Sequence, residues 1–143
     1  MQSVPAGWIV DASIALKWFL PVEREPDGAL ARAAIGSLAM RTTALAVHEV
    51  GNVLIRSSGW TAERIVAALG LLVEICGEPV ELVAADHSAT VELALAHHLM
   101  FCDASYVAIA RRTGRSLLSA DDDLLTPGFA VALTSALGQP SDT

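Results

Sequence analysis

The chain has 143 residues, of which 53% are hydrophobic and 17% charged, and its formal net charge is −7. This length fits one domain with one core. The acidic balance argues against broad nonspecific nucleic-acid binding through a basic face, although a bound metal ion could neutralise part of the charge at a local site.

The first half of the chain predicts two short strands and four helices. An apolar run that ends at Asp11 indicates a buried strand, and longer periodic runs indicate helices, with Pro26 tolerated in a first turn and Thr61 as a cap. We expect strands at residues 7–10 and 42–45, and helices at residues 13–20, 25–38, 47–56 and 61–76.

The second half predicts three more strands and two more helices. Asp86 caps a helix that runs to residue 97 or 98, and Asp103 starts another that Gly114 closes. We expect strands at residues 79–83, 115–119 and 129–133. Strands that alternate with helices predict one α/β domain over residues 1–138, with a mainly parallel central sheet flanked by helices, followed by a disordered tail at residues 139–143.

Four acidic residues stand at the ends of these elements. Asp11 follows the first strand and Asp121 follows a late one, while Glu49 and Asp103 are placed near helix N-termini. Ligands of open α/β sheets bind beyond the carboxyl ends of the strands, so we expect the four side chains to converge there. Such a set of hard oxygen ligands, with few competing His or Cys ligands, points to Mg²⁺ or Mn²⁺.

Each carboxylate also has a purely structural interpretation. Asp103 could be only a helix cap, Asp121 part of a solvated acidic turn, and Glu49 a first-turn partner of the helix dipole. Asp11 is hardest to explain in this way, because a core strand seldom ends in an unpaired charge.

The chain resembles the PIN-domain ribonucleases and, among them, the VapC-type toxins of bacterial toxin–antitoxin pairs. The matching segments, in order, are Val-Asp-Ala-Ser at 10–13, His-Glu-Val-Gly-Asn-Val-Leu at 48–54, Asp-Ala-Ser-Tyr-Val-Ala-Ile-Ala at 103–110 and Leu-Leu-Ser-Ala-Asp at 117–121. The resemblance implies a Mg²⁺- or Mn²⁺-dependent endoribonuclease, usually a homodimer and inhibited by a cognate antitoxin. It implies an acidic site of Asp11, Glu49, Asp103 and Asp121, with Asp123 as a fifth candidate.

Neighbouring polar residues are candidates for support of these ligands. Ser13, Asn52 and Ser119 could orient a ligand or could serve in ordinary helix and turn capping. Gly51 departs from the family pattern, where a larger residue is expected. The four histidines lack the spacing of a zinc site. Candidates for phosphate contacts, or alternatively for solvated helix-end charges, are Lys17, Arg111, Arg112 and Arg115.

Two other classes of protein cluster acids after strands. A dehalogenase-type phosphatase needs a second aspartate two residues after Asp11, but Ser13 stands there. A phospho-receiver domain needs paired acids after the first strand and a lysine after a late strand, and neither feature is present. A non-catalytic binding module that keeps the fold is the other alternative. The sequence leaves open whether one or two ions bind and which carboxylate acts as the base.

The apolar composition also predicts a protein interface, because spare apolar surface marks association sites. We expect a homodimer through the helices of residues 47–76, and an antitoxin that inserts Arg or Lys into the acidic pocket. No uninterrupted apolar run reaches the roughly 18 residues of a membrane helix, and no signal-peptide pattern is present. The pair Cys76 and Cys102 forms no disulfide framework, so a reduced, cytoplasmic setting is expected.

Overall fold

The structure, a computed structural model, describes residues 7–138. It contains three strands, β1 (Trp8–Val10), β2 (Met40–Thr42) and β3 (Ser116–Leu118). The helices are α1 (Ala12–Phe19), α2 (Gly28–Ala34), α3 (Ala44–Arg56), α4 (Ala62–Cys76), α5 (Asp86–His97), α6 (Phe101–Arg112), α7 (Asp122–Leu125) and α8 (Leu133–Ala136).

The three strands form one parallel sheet in the order β2–β1–β3. In the register of the sheet, Val10 pairs with Thr42 of β2 on one side and with Leu118 of β3 on the other. All three strands therefore end at the same edge. The Thr42 hydroxyl strengthens that edge by donating to the Val10 carbonyl at 2.8 Å. The predicted α/β class with a parallel sheet flanked by helices is confirmed.

Both faces of the sheet are buried. Successive strand residues point to opposite faces, so Val10 and Leu118 join one apolar cluster while Ile9 and Leu117 join another. Helices α1 to α4 cover the first face, and α6 packs on the second. Burial on both faces explains why the central strand β1 reads as a continuous apolar run without alternation.

Two expected strands are wrong. Residues 79–83 and 129–133 contribute single bridges, Val80 to Thr43 and Val131 to Leu118, and α8 begins at Leu133. Each segment therefore extends the sheet by one residue only. Pro79 has no N–H to offer a ladder, which limits pairing before Val80.

Several boundaries also differ from the sequence-based expectation. Residue 43 caps α3 through its side chain, which accepts from the Ala46 amide at 3.1 Å, so the strand expected at 42–45 ends at Thr42. Helix α3 consequently begins three residues earlier than expected. Helix α2 is shorter than the expected 25–38, and the residues before it hold Glu25 and Asp27, which pair with Lys17 of α1.

Within residues 7–138, no helix combines the length and apolar character needed to cross a membrane. The expected tail at residues 139–143 lies outside the described residues.

Candidate active site

Asp11 occupies the carboxyl edge of the sheet, between β1 and α1. It is the N-cap of α1, and its Oδ1 accepts hydrogen bonds from the Ile14 amide at 3.3 Å and the Ser13 hydroxyl at 2.5 Å. Its Oδ2 accepts from the Ser119 hydroxyl at 2.5 Å. The residue is only 4% exposed, so these three donors hold a buried carboxylate in one orientation.

The same two serines tie the loop after β3 to Asp11. The Ser13 hydroxyl accepts from the Ala120 amide at 2.9 Å, and the Ser119 hydroxyl accepts from the Asp121 amide at 3.0 Å. Each hydroxyl therefore donates to Asp11 and accepts from the backbone that carries Asp121. Both serines therefore contact Asp11 directly and link it to the loop that carries Asp121.

A second group of carboxylates lies beside this network. Asp103, Asp121 and Asp123 each offer an oxygen, and these three atoms lie within 4.8 Å of one another. Asp121 is the N-cap of α7 and accepts from the Asp123 amide at 3.0 Å, which fixes the pair. Asp123 thus enters the cluster, where the sequence offered it only as a fifth candidate.

Asp103 does not cap a helix. It is the third residue of α6, whose N-cap is Met100, so the interpretation of Asp103 as a cap, and the expectation that it begins the helix, are wrong. Its pKa is raised, first by burial and then by the negative charges of Asp121, Asp11 and Asp123. Its carboxylate therefore lies in a negative field.

Glu49 of α3 and Asp11 lie outside the group of three oxygens, so the expected convergence of four side chains is met within 4.8 Å only by Asp103 and Asp121. Glu49 is the sixth residue of its helix, so the expected position near the N-terminus and the first-turn dipole role are both wrong. The Tyr106 hydroxyl donates to its Oε2 at 3.2 Å. Burial raises the pKa of Glu49, the hydrogen bond from Tyr106 lowers it, and the charges of Asp11, Asp103 and Asp121 raise it again.

Tyr106 is a residue whose place in the site the sequence analysis missed. It lies on α6 three residues after Asp103, and burial together with the charges of Glu49 and Asp11 raises its pKa, so it is a neutral donor. The helical spacing from Asp103 was the signal that could have found it, because residues three apart share a helix face.

The carboxylate cluster lacks a cationic partner among residues 7–138. The ion pairs there join Lys17 to Glu25 and Asp27, and Arg112 to Asp86. Lys17 of α1 is therefore paired with the segment before α2, and Arg112 of α6 is paired with Asp86 of α5. Asp86 is the first residue of α5 rather than its cap, and it accepts from the Val83 amide at 3.0 Å.

Burial also raises the pKa of Asp11, since desolvation outweighs its three hydrogen-bond donors, and the charge of Asp121 adds to the rise. Uncompensated carboxylates this close together repel one another unless a cation or a proton is shared. Three oxygens within 4.8 Å, all from hard ligands, have the chemistry of a Mg²⁺ or Mn²⁺ site.

Asn52, the third candidate for support of the ligands, is exposed, and within the described part of the chain its side chain makes no hydrogen bond.

A family model of the PIN domain matches residues 8–129. The chain belongs to the PIN-domain family. A search among curated proteins found no match.

Solved structures share the fold at low sequence identity. A protein from Pyrobaculum aerophilum is 22% identical, with a TM-score of 0.67 over 92% of this chain and 86% of that one. VapC20 of Mycobacterium tuberculosis, a toxin that cleaves the sarcin-ricin loop, is 20% identical, with a TM-score of 0.70 over 86% and 96%. A toxin–antitoxin complex from Klebsiella pneumoniae is 14% identical in sequence, with a TM-score of 0.69 over 87% of this chain and 96% of that one.

Proposed function

We propose that this PIN-domain protein is a Mg²⁺- or Mn²⁺-dependent endoribonuclease that acts in the cytoplasm as the toxin of a toxin–antitoxin pair. The observation that carries the proposal is the cluster of Asp103, Asp121 and Asp123, which has no cationic partner in residues 7–138. Asp11 and Glu49 flank it at the same edge of the sheet. A family of nucleases and a site suited to a hard divalent ion point to the same chemistry.

The proposal gives each side chain a part in holding the ion and the substrate. A divalent ion would be coordinated by Asp103, Asp121 and Asp123. The carboxylates of Asp11 and Glu49 would accept hydrogen bonds from the water molecules that the ion keeps. When bound, the ion would supply Lewis-acid polarisation of the phosphate and a more acidic water nucleophile. Ser13 and Ser119 keep Asp11 pointing into the site, and the Tyr106 hydroxyl orients Glu49. One carboxylate of the set can accept the proton of the attacking water.

The geometry disfavours the phosphatase alternative. Ser13 stands where a dehalogenase-type phosphatase needs its second aspartate, and its hydroxyl is already used by Asp11 and by the Ala120 amide. A non-catalytic binding module predicts the same fold without cleavage. An assay of RNA cleavage therefore distinguishes a non-catalytic binding module from the proposed ribonuclease.

The toxin role rests on likeness to toxins. VapC20, the complex from Klebsiella pneumoniae and VapBC2 from Rickettsia felis share the fold. An antitoxin that inserts an Arg or Lys among the carboxylates would supply the missing cation and exclude the metal. Stoichiometric antitoxin should then stop RNA cleavage, and undiminished cleavage by the complex would contradict this part of the proposal.

Exposed apolar side chains on α3 and α4 support a homodimer. Ile55 is 69% exposed and Val66 is 71% exposed, and Leu71 and Val73 extend the apolar surface along α4. These residues fall within the expected interface at residues 47–76.

The experiment is incubation of the purified chain with a mixed RNA pool, with and without Mn²⁺. Cleavage should require the ion and disappear in Asp121→Asn. Intact RNA in the presence of Mn²⁺, or equal cleavage by Asp121→Asn, would overturn the proposal.

A further inference from the structure

An apolar pocket opens beside the carboxylates, between the two helices that carry Glu49 and Asp103. Its volume is about 220 Å³. Helix α3 contributes Leu45 and His48 to the wall, α6 contributes Phe101 and Cys102, and the segment before α5 contributes Val80 and Glu81. The proposed catalysis leaves this cavity without a role.

The pocket lies on the same two helices as Glu49 and Asp103, although neither carboxylate is part of its wall. Leu45 lies one helical turn before Glu49, so the two share a face of α3. On α6, Cys102 lines the pocket and directly precedes Asp103 in the same helix. A group seated in the pocket would therefore lie next to a phosphate held at the carboxylates.

The lining suits a flat aromatic group. Phe101 is 46% exposed although it lines the cavity, so part of its ring is free to stack. His48 is exposed at the wall contributed by α3. Unstacked RNA bases bind proteins by stacking on such rings, while the acidic surroundings repel the phosphates away from the pocket and toward a bound cation.

We propose that this pocket is a nucleobase subsite, which takes one base of the RNA chain next to the scissile phosphate and stacks it on Phe101. The inference rests on the proposed ribonuclease function, because it is that function which places RNA at the site. It assigns to Phe101, His48 and Cys102 a contact with substrate that the carboxylates do not provide.

Two variants isolate the stack. Phe101→Ala removes the ring from a partly exposed helix end, and Phe101→Trp keeps an aromatic face. Met100→Ala is the matched control, because Met100 is the preceding residue, is 74% exposed and is not part of the pocket wall.

The first experiment uses an RNA oligonucleotide that the wild type cleaves and copies of it with one abasic nucleotide at successive positions. At one position next to the scissile bond, the missing base should slow the wild type by about 5-fold to 150-fold, the range of one base–aromatic stack. Phe101→Ala should be slow on the intact RNA and insensitive to that lesion, a non-additivity typical of contacting groups. Phe101→Trp should retain the sensitivity, and Met100→Ala should match the wild type. Equal sensitivity of wild type and Phe101→Ala at every position would overturn the subsite.

The second experiment does not depend on cleavage. Cys102 is exposed and Cys76 is buried, so a maleimide should label Cys102 selectively. Millimolar ribonucleosides should slow this labelling in the wild type and in Met100→Ala, but not in Phe101→Ala, and ribose alone should have no effect. If the wild type cleaves no RNA, the proposed function fails and protection by nucleosides still supports a base-binding pocket. Absence of that protection, or protection by N-acetyl-leucine amide instead, would overturn the subsite and favour a protein side chain as its occupant.

Discussion

At the scale of single residues, the site depends on how Asp11 is held. Ser13 and Ser119 each donate to its carboxylate and accept from the backbone that leads to Asp121. The hydroxyls therefore connect the ends of two strands through one buried charge. Loss of either hydroxyl therefore affects both the Asp11 carboxylate and the loop that leads to Asp121.

Ser119→Ala should lower the free energy of unfolding by about 1–3 kcal/mol, since a buried carboxylate oxygen and the Asp121 amide both lose a partner. It should also weaken Mn²⁺ binding, because Asp11 and Asp121 lose their fixed positions. Urea unfolding measures the first effect and calorimetry the second. Ser88→Ala, at an exposed position of α5, is the control and should change stability by less than about 0.5 kcal/mol. A Ser119→Ala protein as stable as that control would show that the network contributes little.

The acidic residues were predictable from the sequence because charged groups that follow apolar strands need compensation. All four of Asp11, Glu49, Asp103 and Asp121 were identified from their places at the ends of predicted elements, and the family resemblance implied the same four residues. The proximity of Asp123 to Asp103 was not predictable, because it depends on the turn between β3 and α7. The part of Tyr106 was also missed, because its contact with Glu49 joins residues 57 apart in the chain.

At the scale of elements, long periodic helices were predicted well and short edge segments poorly. Helix α4 begins after Thr61 and ends at Cys76 as expected. The segments around Val80 and Val131 are apolar like strands but add only one bridge each. A short apolar run does not determine how many of its residues pair with a neighbouring strand, because that number depends on where the neighbouring strand ends.

Gly51 gives an element-scale prediction about α3. A Cβ built there would meet the Leu69 side chain at 3.9 Å, an ordinary van der Waals contact. Gly51→Ala should therefore raise the free energy of unfolding by about 0.5–1 kcal/mol through helix propensity. The opposite control is Gly7→Ala, because Gly7 has φ +108° and a Cβ would lie 2.6 Å from the Ala39 carbonyl oxygen. Denaturant unfolding that shows Gly51→Ala destabilised would mean that the α3–α4 contact has no room for a methyl group.

At the scale of the whole molecule, the carboxylates make metal-free stability depend on pH. Burial raises the pKa of Asp11, Glu49 and Asp103 above their ordinary values. Between the ordinary and raised values the folded protein binds more protons than the unfolded chain, so stability contributed by these groups is full below the ordinary pKa and is lost as pH rises through the raised one.

The free energy of unfolding in EDTA should therefore contain a contribution that falls as pH rises from about 4. Asp11→Asn should reduce that fall. Asp86 acts in the other direction: burial raises its pKa, but the hydrogen bonds from Val83 and Arg112 and the Arg112 charge together outweigh burial and lower it. Its contribution to stability is therefore present above the ordinary pKa and is lost as pH falls through the lowered one. Urea unfolding at a series of pH values, with wild type and Asp11→Asn compared, measures the difference. A wild-type curve that rises more steeply with pH than that of Asp11→Asn would contradict the sign.

The apolar surface of α3 and α4 is the expected contact between two copies of the chain. Val66→Lys should shift the protein toward the monomer in light scattering, because it places a charge in the middle of that surface. Leu95→Lys is the control, since Leu95 is 75% exposed on α5, outside the proposed interface. A wild type that is monomeric at high concentration, or a dimer that tolerates Val66→Lys and not Leu95→Lys, would rule this interface out.

The measurement that tests the central claim most directly is a calorimetric titration of the wild type with Mn²⁺ beside Asp103→Asn and Asp122→Asn. Asp122 is an exposed neighbour of Asp123 that lies outside the three-carboxylate cluster, so its variant changes the net charge equally without removing a proposed ligand. The account predicts saturable binding by the wild type and by Asp122→Asn, and loss of binding in a folded Asp103→Asn protein. Binding that is absent from the wild type, or equal in Asp103→Asn, would contradict a metal site at these carboxylates.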